Sequence, residues 1–114
     1  MRQSKAEILQ GTLDLMVLKT LDVMGPMHGY GLARRIEQLS DEALQVSQGT
    51  IYLCLVRLVQ KGWITAEWGT SDNNRKAKFY AISKGGRKQL AAETRNWERV
   101  SGIIGKLLQL GTRG

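Results

Sequence analysis

Apolar residues recur at steps of three and four along the first part of the chain. The recurring positions are Ile8 or Leu9, Leu13, Met16, Val17, Leu21 and Met24. This period predicts an α-helix with one buried face over residues 5–24. Gly25-Pro26 ends the helix, because a proline disfavours helical geometry in the residue before it.

Two shorter apolar patterns with the same period follow. The first predicts a helix over residues 29–39, ended by Ser40-Asp41, and residues 41–46 form a connecting turn. The second predicts a helix over residues 48–61, where Ser47 is a suitable N-cap and Gly62 suits the left-handed position after the end. The predicted buried positions are Leu32, Ala33, Ile36 and Leu39 in the one helix, and Ile51, Leu55, Leu58 and Val59 in the other.

Aromatic and branched residues replace the helical period over residues 63–68 and 76–82. They predict two strands, joined by the polar loop at residues 69–75. Ser83 is a suitable cap for a last helix over residues 84–110. An apolar seam with coiled-coil spacing is predicted along that helix at Leu90, Trp97, Val100, Ile104 and Leu107.

The predicted order is three helices, a hairpin and a long helix, so the fold class is mainly α with a small β-hairpin. We interpret residues 1–83 as a winged helix-turn-helix and residues 84–114 as a C-terminal dimerisation helix of the same domain. In a winged helix-turn-helix that binds DNA, the second helix of the pair enters the major groove and the hairpin, or wing, reaches along the backbone. Three-helix cores also occur in unrelated proteins, so the element order alone does not decide the function.

Positive charge is concentrated in the second part of the chain. The whole chain carries 17 basic and 10 acidic residues, for a net charge of +7. Residues 1–46 hold five basic and six acidic residues, whereas residues 47–114 hold 12 basic and 4 acidic ones. Such a one-sided field favours a polyanionic partner, either nucleic acid or an acidic membrane surface.

Several other classes of protein have little support in the sequence. His28 is the only histidine and Cys54 the only cysteine, so a metal site has little support and no catalytic set can be named; His28 is instead expected to cap the second helix, and no cofactor is expected. The apolar runs are far shorter than the roughly 20 residues that a membrane span needs, and the N-terminus lacks the apolar run of a signal peptide. We therefore expect a cytoplasmic protein without enzymatic activity, in which Cys54 is a small buried residue rather than a redox sensor.

Several stretches match one known family in order and spacing. They are residues 10–14, His28-Gly29-Tyr30-Gly31-Leu32, Gly49-Thr50-Ile51-Tyr52, then Leu55, Arg57, Leu58, Gly62, Trp63 and Ile64, and finally residues 75–87. On these residues the chain resembles a short member of the PadR family of bacterial transcription regulators. One departure is Leu53-Cys54, where the family often has Pro-Ala after the tyrosine. Because Leu53 lies near the groove-facing side, the base preference of relatives does not transfer to this chain.

The resemblance and the charge pattern together give a set of candidate DNA contacts. The resemblance implies that Thr50 and Tyr52 contact the DNA backbone or base edges, and that Arg57 and Lys61 flank the groove. An alternative is that Tyr52 packs under the wing with Trp68. The candidate DNA-binding residues are Tyr30, Ser47, Gln48, Thr50, Tyr52, Arg57, Lys61, Arg75, Lys76 and Lys78. The wing cations are the best supported of these, because a phosphate contact needs only charge and reach.

The favoured hypothesis is a homodimeric repressor that binds a near-palindromic site on double-stranded DNA. The seam on the last helix, Leu90 to Leu107, would form the dimer interface. Trp97 is either an anchor of that interface, which we favour, or part of a pocket for a small planar aromatic effector, as in some short PadR-type regulators. The main alternative is a protein-interaction or ligand-sensing module that does not read DNA, and a weaker one is binding to a membrane surface.

Overall fold

The computed structural model describes residues 10–111. Helix α1 spans Gln10–Met24, α2 spans Gly29–Leu39, α3 spans Gln48–Gln60 and α4 spans Lys84–Leu108. Strands β1, β2 and β3 span Met27–His28, Ile64–Thr70 and Lys76–Ile82. The predicted fold class is therefore confirmed, while residues 5–9 of the predicted first helix lie outside the described residues.

Three helices begin at residues that cap them. The side chains of His28, Ser47 and Ser83 each accept a hydrogen bond from the backbone N–H three residues later, at 3.0, 3.1 and 3.0 Å. Such bonds satisfy donors that have no partner within the helix. Gly62 has a φ of +77° after the end of α3, so the predicted caps and the predicted left-handed glycine are confirmed.

The sheet has three antiparallel strands, with β3 in the middle. Strand β2 pairs with β3 from Ile64↔Ile82 at the base to Thr70↔Lys76 near the tip. Strand β1 pairs with the other edge of β3 through Met27↔Tyr80 and His28↔Phe79. The sequence did not predict β1, because two residues are too few to show an alternating pattern.

The core lies between α1, α2 and α3, the base of the sheet and the start of α4. Its buried apolar residues are Leu13, Val17, Leu18, Leu21, Leu32, Ala33, Ile36, Val46, Ile51, Cys54, Leu55, Leu58, Ile64, Tyr80, Ile82 and Leu90. Three positions predicted to be buried, Met24, Leu39 and Val59, are instead exposed. Each lies in the last turn of its helix, beyond the elements that cover the core.

The turn between α2 and α3 is held by side chains of α2. The Glu37 carboxylate accepts from the N–H of Val46 at 2.8 Å, and Arg34 bonds both Glu37 and Glu42, at 3.1 and 3.0 Å. Asp41 and Glu42 have φ values of 56° and 63°, a left-handed backbone that reverses the chain. These contacts fix the direction in which α3 leaves α2.

The start of α4 is joined closely to the end of α3. The Ser83 hydroxyl donates to the carbonyl of Gly62 at 2.7 Å, and the Ser83 N–H donates to the carbonyl of Trp63 at 3.0 Å. Gly86 packs against the same backbone, where an added Cβ would lie 1.9 Å from the Trp63 oxygen. The position of α4 is thereby coupled to that of α3.

Candidate nucleic-acid interface

One face of α3 is open to solvent along its whole length. The residues on it are Gln48, Gly49, Tyr52, Leu53, Val59 and Gln60, and all six are exposed. The opposite face, with Ile51, Cys54, Leu55 and Leu58, is buried in the core. The exposed face carries no charged side chain, so it can contact base edges in a groove but cannot pair with phosphates by charge.

The N-terminus of α3 is suited to bind an anionic group. The Ser47 hydroxyl accepts from the N–H of Thr50 at 3.1 Å and donates to the Thr50 hydroxyl at 2.8 Å. Other N–H groups of the first turn, such as those of Gln48 and Gly49, have no partner within the helix, and the helix dipole is positive at this end. A DNA phosphate is a suitable acceptor for them.

The wing ends in a tight turn beyond β2 and β3. The N–H of Asn74 donates to the Ser71 carbonyl at 2.9 Å, and the N–H of Ser71 donates to the Arg75 carbonyl at 2.8 Å. Asn74 has a φ of +60°, so the connection is a turn followed by one left-handed residue, a common hairpin geometry. The strand β2 reaches Thr70, which makes the loop shorter than the predicted 69–75.

Three cations project from this wing. Arg75, Lys76 and Lys78 are exposed, and within residues 10–111 none of them forms an ion pair with a carboxylate. Since side chains alternate along a strand, Lys76 and Lys78 share the face of β3 that carries Tyr80 into the core beside α3. Of the three, Lys78 lies beside the N-terminal half of α3, whereas Arg75 and Lys76 lie nearer the tip of the wing.

An open cleft of about 260 Å³ separates the wing from α3, and Tyr30, Gln48, Tyr52, Lys78 and Tyr80 are among its lining residues. Burial, with a smaller contribution from the nearby Tyr52 hydroxyl, raises the pKa of Tyr80. Tyr52 is 59% exposed and Trp68, which lies under the Lys78 ammonium, is 69% exposed. Neither ring is buried, and Tyr52 lines the cleft under the wing, so a DNA contact and packing under the wing both stay predictions for Tyr52.

Arg57 faces α1 instead of the open side of α3. Its guanidinium forms an ion pair and hydrogen bond with the Asp14 carboxylate, and its side chain is only 23% exposed. The Cys54 thiol donates to the same carboxylate at 3.1 Å. Asp14 is itself buried. Arg57, which the sequence placed beside the groove, thus has a partner within the protein and does not belong to the exposed α3 face.

Cys54 has the environment of an unreactive thiol. Burial, the hydrogen bond to Asp14 and the charge of that carboxylate raise its pKa to about 12. Because the thiolate is the reactive form, the thiol stays protonated and inert at neutral pH. The interpretation of Cys54 as a small buried residue agrees with this position.

A comparison with known protein families assigns the chain to one of them. The family of PadR-like transcriptional regulators matches residues 17–92, from the middle of α1 to the first turns of α4. The match includes α3, the wing and the cleft between them. The chain belongs to the PadR-like family.

Solved structures agree with this assignment. A PadR-like transcriptional regulator from Bacillus cereus is 29% identical, with a TM-score of 0.75 over 89% of this chain and 95% of that one. A transcriptional regulator from Clostridium thermocellum is 26% identical, with a TM-score of 0.77 over 85% and 93%. A PadR family regulator from Eggerthella lenta is 27% identical, with a TM-score of 0.75 over 90% and 86%. This PadR-like protein is therefore a transcription regulator by family.

The C-terminal half of α4 exposes many apolar side chains in this PadR-like protein. Trp97, Ile103, Ile104, Leu107 and Leu108 are all between 48% and 75% exposed. Of the predicted seam, Val100 is half-buried and Leu90 is buried in the protomer's own core. The predicted seam therefore has two parts. Leu90 packs in the protomer's own core, and the stretch that begins at Trp97 is exposed to solvent.

Two other features of the PadR-like chain bear on its chemistry. No group of three or more histidine, cysteine, aspartate or glutamate side chains within the described part of the chain is placed to hold a metal ion. None of the helices between residues 10 and 111 combines the length and the apolar character that crossing a membrane requires.

Proposed function

We propose that this PadR-like regulator is a homodimeric repressor that binds a specific, near-palindromic site on double-stranded DNA. One observation carries the proposal: Gln48 and Tyr52 on the uncharged, exposed face of α3 line one cleft with Lys78 of the wing, and none of the three wing cations forms an ion pair within residues 10–111. An uncharged helix face suits base edges in the major groove, whereas the cations suit the phosphates on either side. As a DNA-binding regulator it would act in the cytoplasm.

The candidate residues divide into two groups by chemistry. The wing cations Arg75, Lys76 and Lys78 bind phosphates, and the N-terminus of α3, with Ser47 and Thr50, binds another phosphate through its N–H groups. Gln48 and Tyr52 approach base edges. Tyr30, which is 67% exposed at the edge of the same cleft, and Lys61, whose ammonium lies 4.8 Å from the Trp63 ring centroid, flank the groove. Arg57 is left out because it pairs with Asp14.

The second subunit is proposed to cover the exposed apolar stretch of α4. Trp97, Ile104 and Leu107 lie on one side of the helix. A contiguous exposed apolar surface of this kind is unusual for a monomer in water. A two-fold axis through this stretch would present two copies of α3 to successive turns of the major groove, ~34 Å apart. Leu90 contributes only by supporting the start of α4.

Trp97 is proposed to anchor that interface, since tryptophan is enriched among residues that dominate binding energy. The alternative is that two copies of Trp97 hold a planar aromatic effector between their rings. Titration of tryptophan fluorescence with planar dyes distinguishes the two, because Trp63 and Trp68 remain in a Trp97→Leu variant. The anchor role predicts equal quenching in both proteins, and saturable quenching that disappears in the variant would instead indicate an effector pocket.

The experiment for the function is selection of sites from a random double-stranded DNA library at fixed salt, followed by sequencing. The proposal predicts enriched sites with two related half-sites one helical turn apart. A protein-interaction module that does not read DNA would give no enrichment, and that result would contradict the proposal. The variant Arg75→Ala/Lys76→Ala/Lys78→Ala, selected in parallel, should show much weaker enrichment.

A further inference from the structure

Leu53 is the most exposed apolar side chain on α3. It is 64% exposed and lies on the same face as Gln48, Gly49 and Tyr52. Tyr52 is directed toward the cleft beneath the wing, whereas the helical spacing turns Leu53 about 100° further from it. Leu53 therefore faces the side of α3 that is open to a ligand and free of the wing.

The residues around Leu53 limit which bases this face can recognise. An arginine or lysine is the usual partner of guanine in the major groove, and an aspartate or glutamate can accept from cytosine. The exposed face of α3 has none of these four residue types. In its N-terminal half this face has an amide, Gln48, which suits adenine, and an apolar side chain, Leu53, which suits the 5-methyl group of thymine.

Gly49 leaves the helix backbone open on the same face as Leu53. It lies one turn before Leu53 on the same face, and an added Cβ would meet no protein atom within 4 Å. Its φ is not in the left-handed range either. Neither the packing nor the backbone of the protomer requires a glycine at this position, although a glycine costs about 1 kcal/mol relative to alanine within a helix. A glycine here leaves room for another molecule to approach the helix backbone closely.

We propose that Leu53 recognises the 5-methyl group of a thymine in the major groove, so that α3 reads an A·T pair in each half-site. This inference rests on the proposed DNA-binding function. It concerns a residue at which the chain departs from the usual family sequence. The Leu53 methyl groups lie against the thymine methyl, and cytosine or guanine at the same position offers no apolar partner.

The test uses the selected DNA site and replaces each thymine in turn by uracil, which pairs identically but lacks the 5-methyl group. For the parent protein, uracil at one symmetric pair of positions should lower affinity by about fourfold per half-site, as expected for one buried methyl group. Affinity is measured by fluorescence anisotropy at fixed salt. Leu53→Ala should bind the thymine and uracil sites equally well.

Leu39→Ala is the matched control, since Leu39 is a leucine of similar exposure, 62%, but lies at the end of α2, outside the exposed face of α3. It should retain the thymine preference. The inference is overturned if the parent binds every uracil site as tightly as the thymine site, or if Leu53→Ala keeps the preference. Either result leaves the proposed function intact, whereas a parent protein without any sequence-selective DNA binding overturns both.

Discussion

Asp14 lies where α1 meets α3, with its carboxylate between the Arg57 guanidinium and the Cys54 thiol. The charges of the buried carboxylate and the half-buried guanidinium compensate each other there, although the Arg57 Nε is buried without a hydrogen-bond partner among the described residues. The hydrogen bond and charge of Asp14 also raise the pKa of Arg57, which keeps the guanidinium charged. Asp14 thereby holds α3 against α1.

Removal of the carboxylate should therefore be costly. Asp14→Ala leaves Arg57 without its acidic partner, and we expect a decrease of about 2–3 kcal/mol in the free energy of unfolding. Chemical denaturation of the parent and the variant measures this decrease in the free energy of unfolding. Asp22→Ala is the control, because it breaks the exposed ion pair with Arg87, which is worth about 0–1 kcal/mol. Equal decreases in the two variants would show that the Asp14–Arg57 pair has no special structural role.

This interaction was not predicted from the sequence, although a signal for it exists. Asp14 falls in the buried stripe of α1, three residues before Val17 and seven before Leu21. A charge in such a stripe requires a partner, and Arg57 and Cys54 lie about 40 residues away in the chain. Periodicity shows which side of a helix is buried, but it does not show which distant side chains meet there.

Among the elements, the junction between α3, β2 and α4 determines where the wing stands. Gly86 allows α4 to begin against the Trp63 carbonyl, and Ser83 bonds the backbone of both Gly62 and Trp63. Helix α3, the base of the wing and helix α4 are thereby fixed to one another. A movement of α4 in a dimer would be transmitted to α3 at this point.

The Gly86→Ala variant tests the tightness of this junction. The new Cβ would lie 1.9 Å from a backbone oxygen, so α4 must shift, and we expect a decrease of about 1–3 kcal/mol in the free energy of unfolding. Gly85→Ala is the matched control, because its Cβ would make only ordinary contacts, at 3.7 Å or more. Thermal denaturation should show a lower midpoint for Gly86→Ala alone, and equal midpoints would mean that the junction is loose.

Most elements could be predicted from local patterns, because helix caps and apolar periods are local properties. The capping residues His28, Ser47 and Ser83 fixed three helix starts correctly. Strand β1 was missed because its pairing with β3 depends on a contact across about 50 residues of chain. The positions of Arg57 and Leu90 were misjudged for a related reason: helical spacing alone does not show which element covers a given side.

In the whole molecule, the long α4 extends beyond the core, and the described residues span 59 × 33 × 20 Å. The exposed apolar side chains of its second half, from Trp97 to Leu108, remain without cover in a single chain. We assign this surface to a second copy. Assembly and DNA binding are then linked, because two copies of α3 are needed for two half-sites.

The variant Trp97→Asp tests the proposed link between dimerisation and DNA binding. A charge buried in the interface without a partner should weaken dimerisation by more than about tenfold, and analytical ultracentrifugation should show a shift toward monomer. DNA affinity should fall as well, although no proposed DNA contact has changed. Ala92→Asp adds the same charge to an exposed position of α4 and should leave both properties unchanged. A dimeric, DNA-binding Trp97→Asp protein would place the interface elsewhere.

The central claim, that the wing cations hold DNA phosphates beside α3, is tested most directly by the salt dependence of DNA affinity. We expect Arg75→Ala/Lys76→Ala/Lys78→Ala to bind all sequences more weakly, with a slope of log affinity against log salt that is shallower by about 0.9 for each phosphate no longer neutralised. Arg95→Ala/Arg99→Ala/Lys106→Ala removes the same charge from exposed positions of α4 and should leave the slope close to that of the parent. Identical slopes for the parent and the wing variant would contradict the claim.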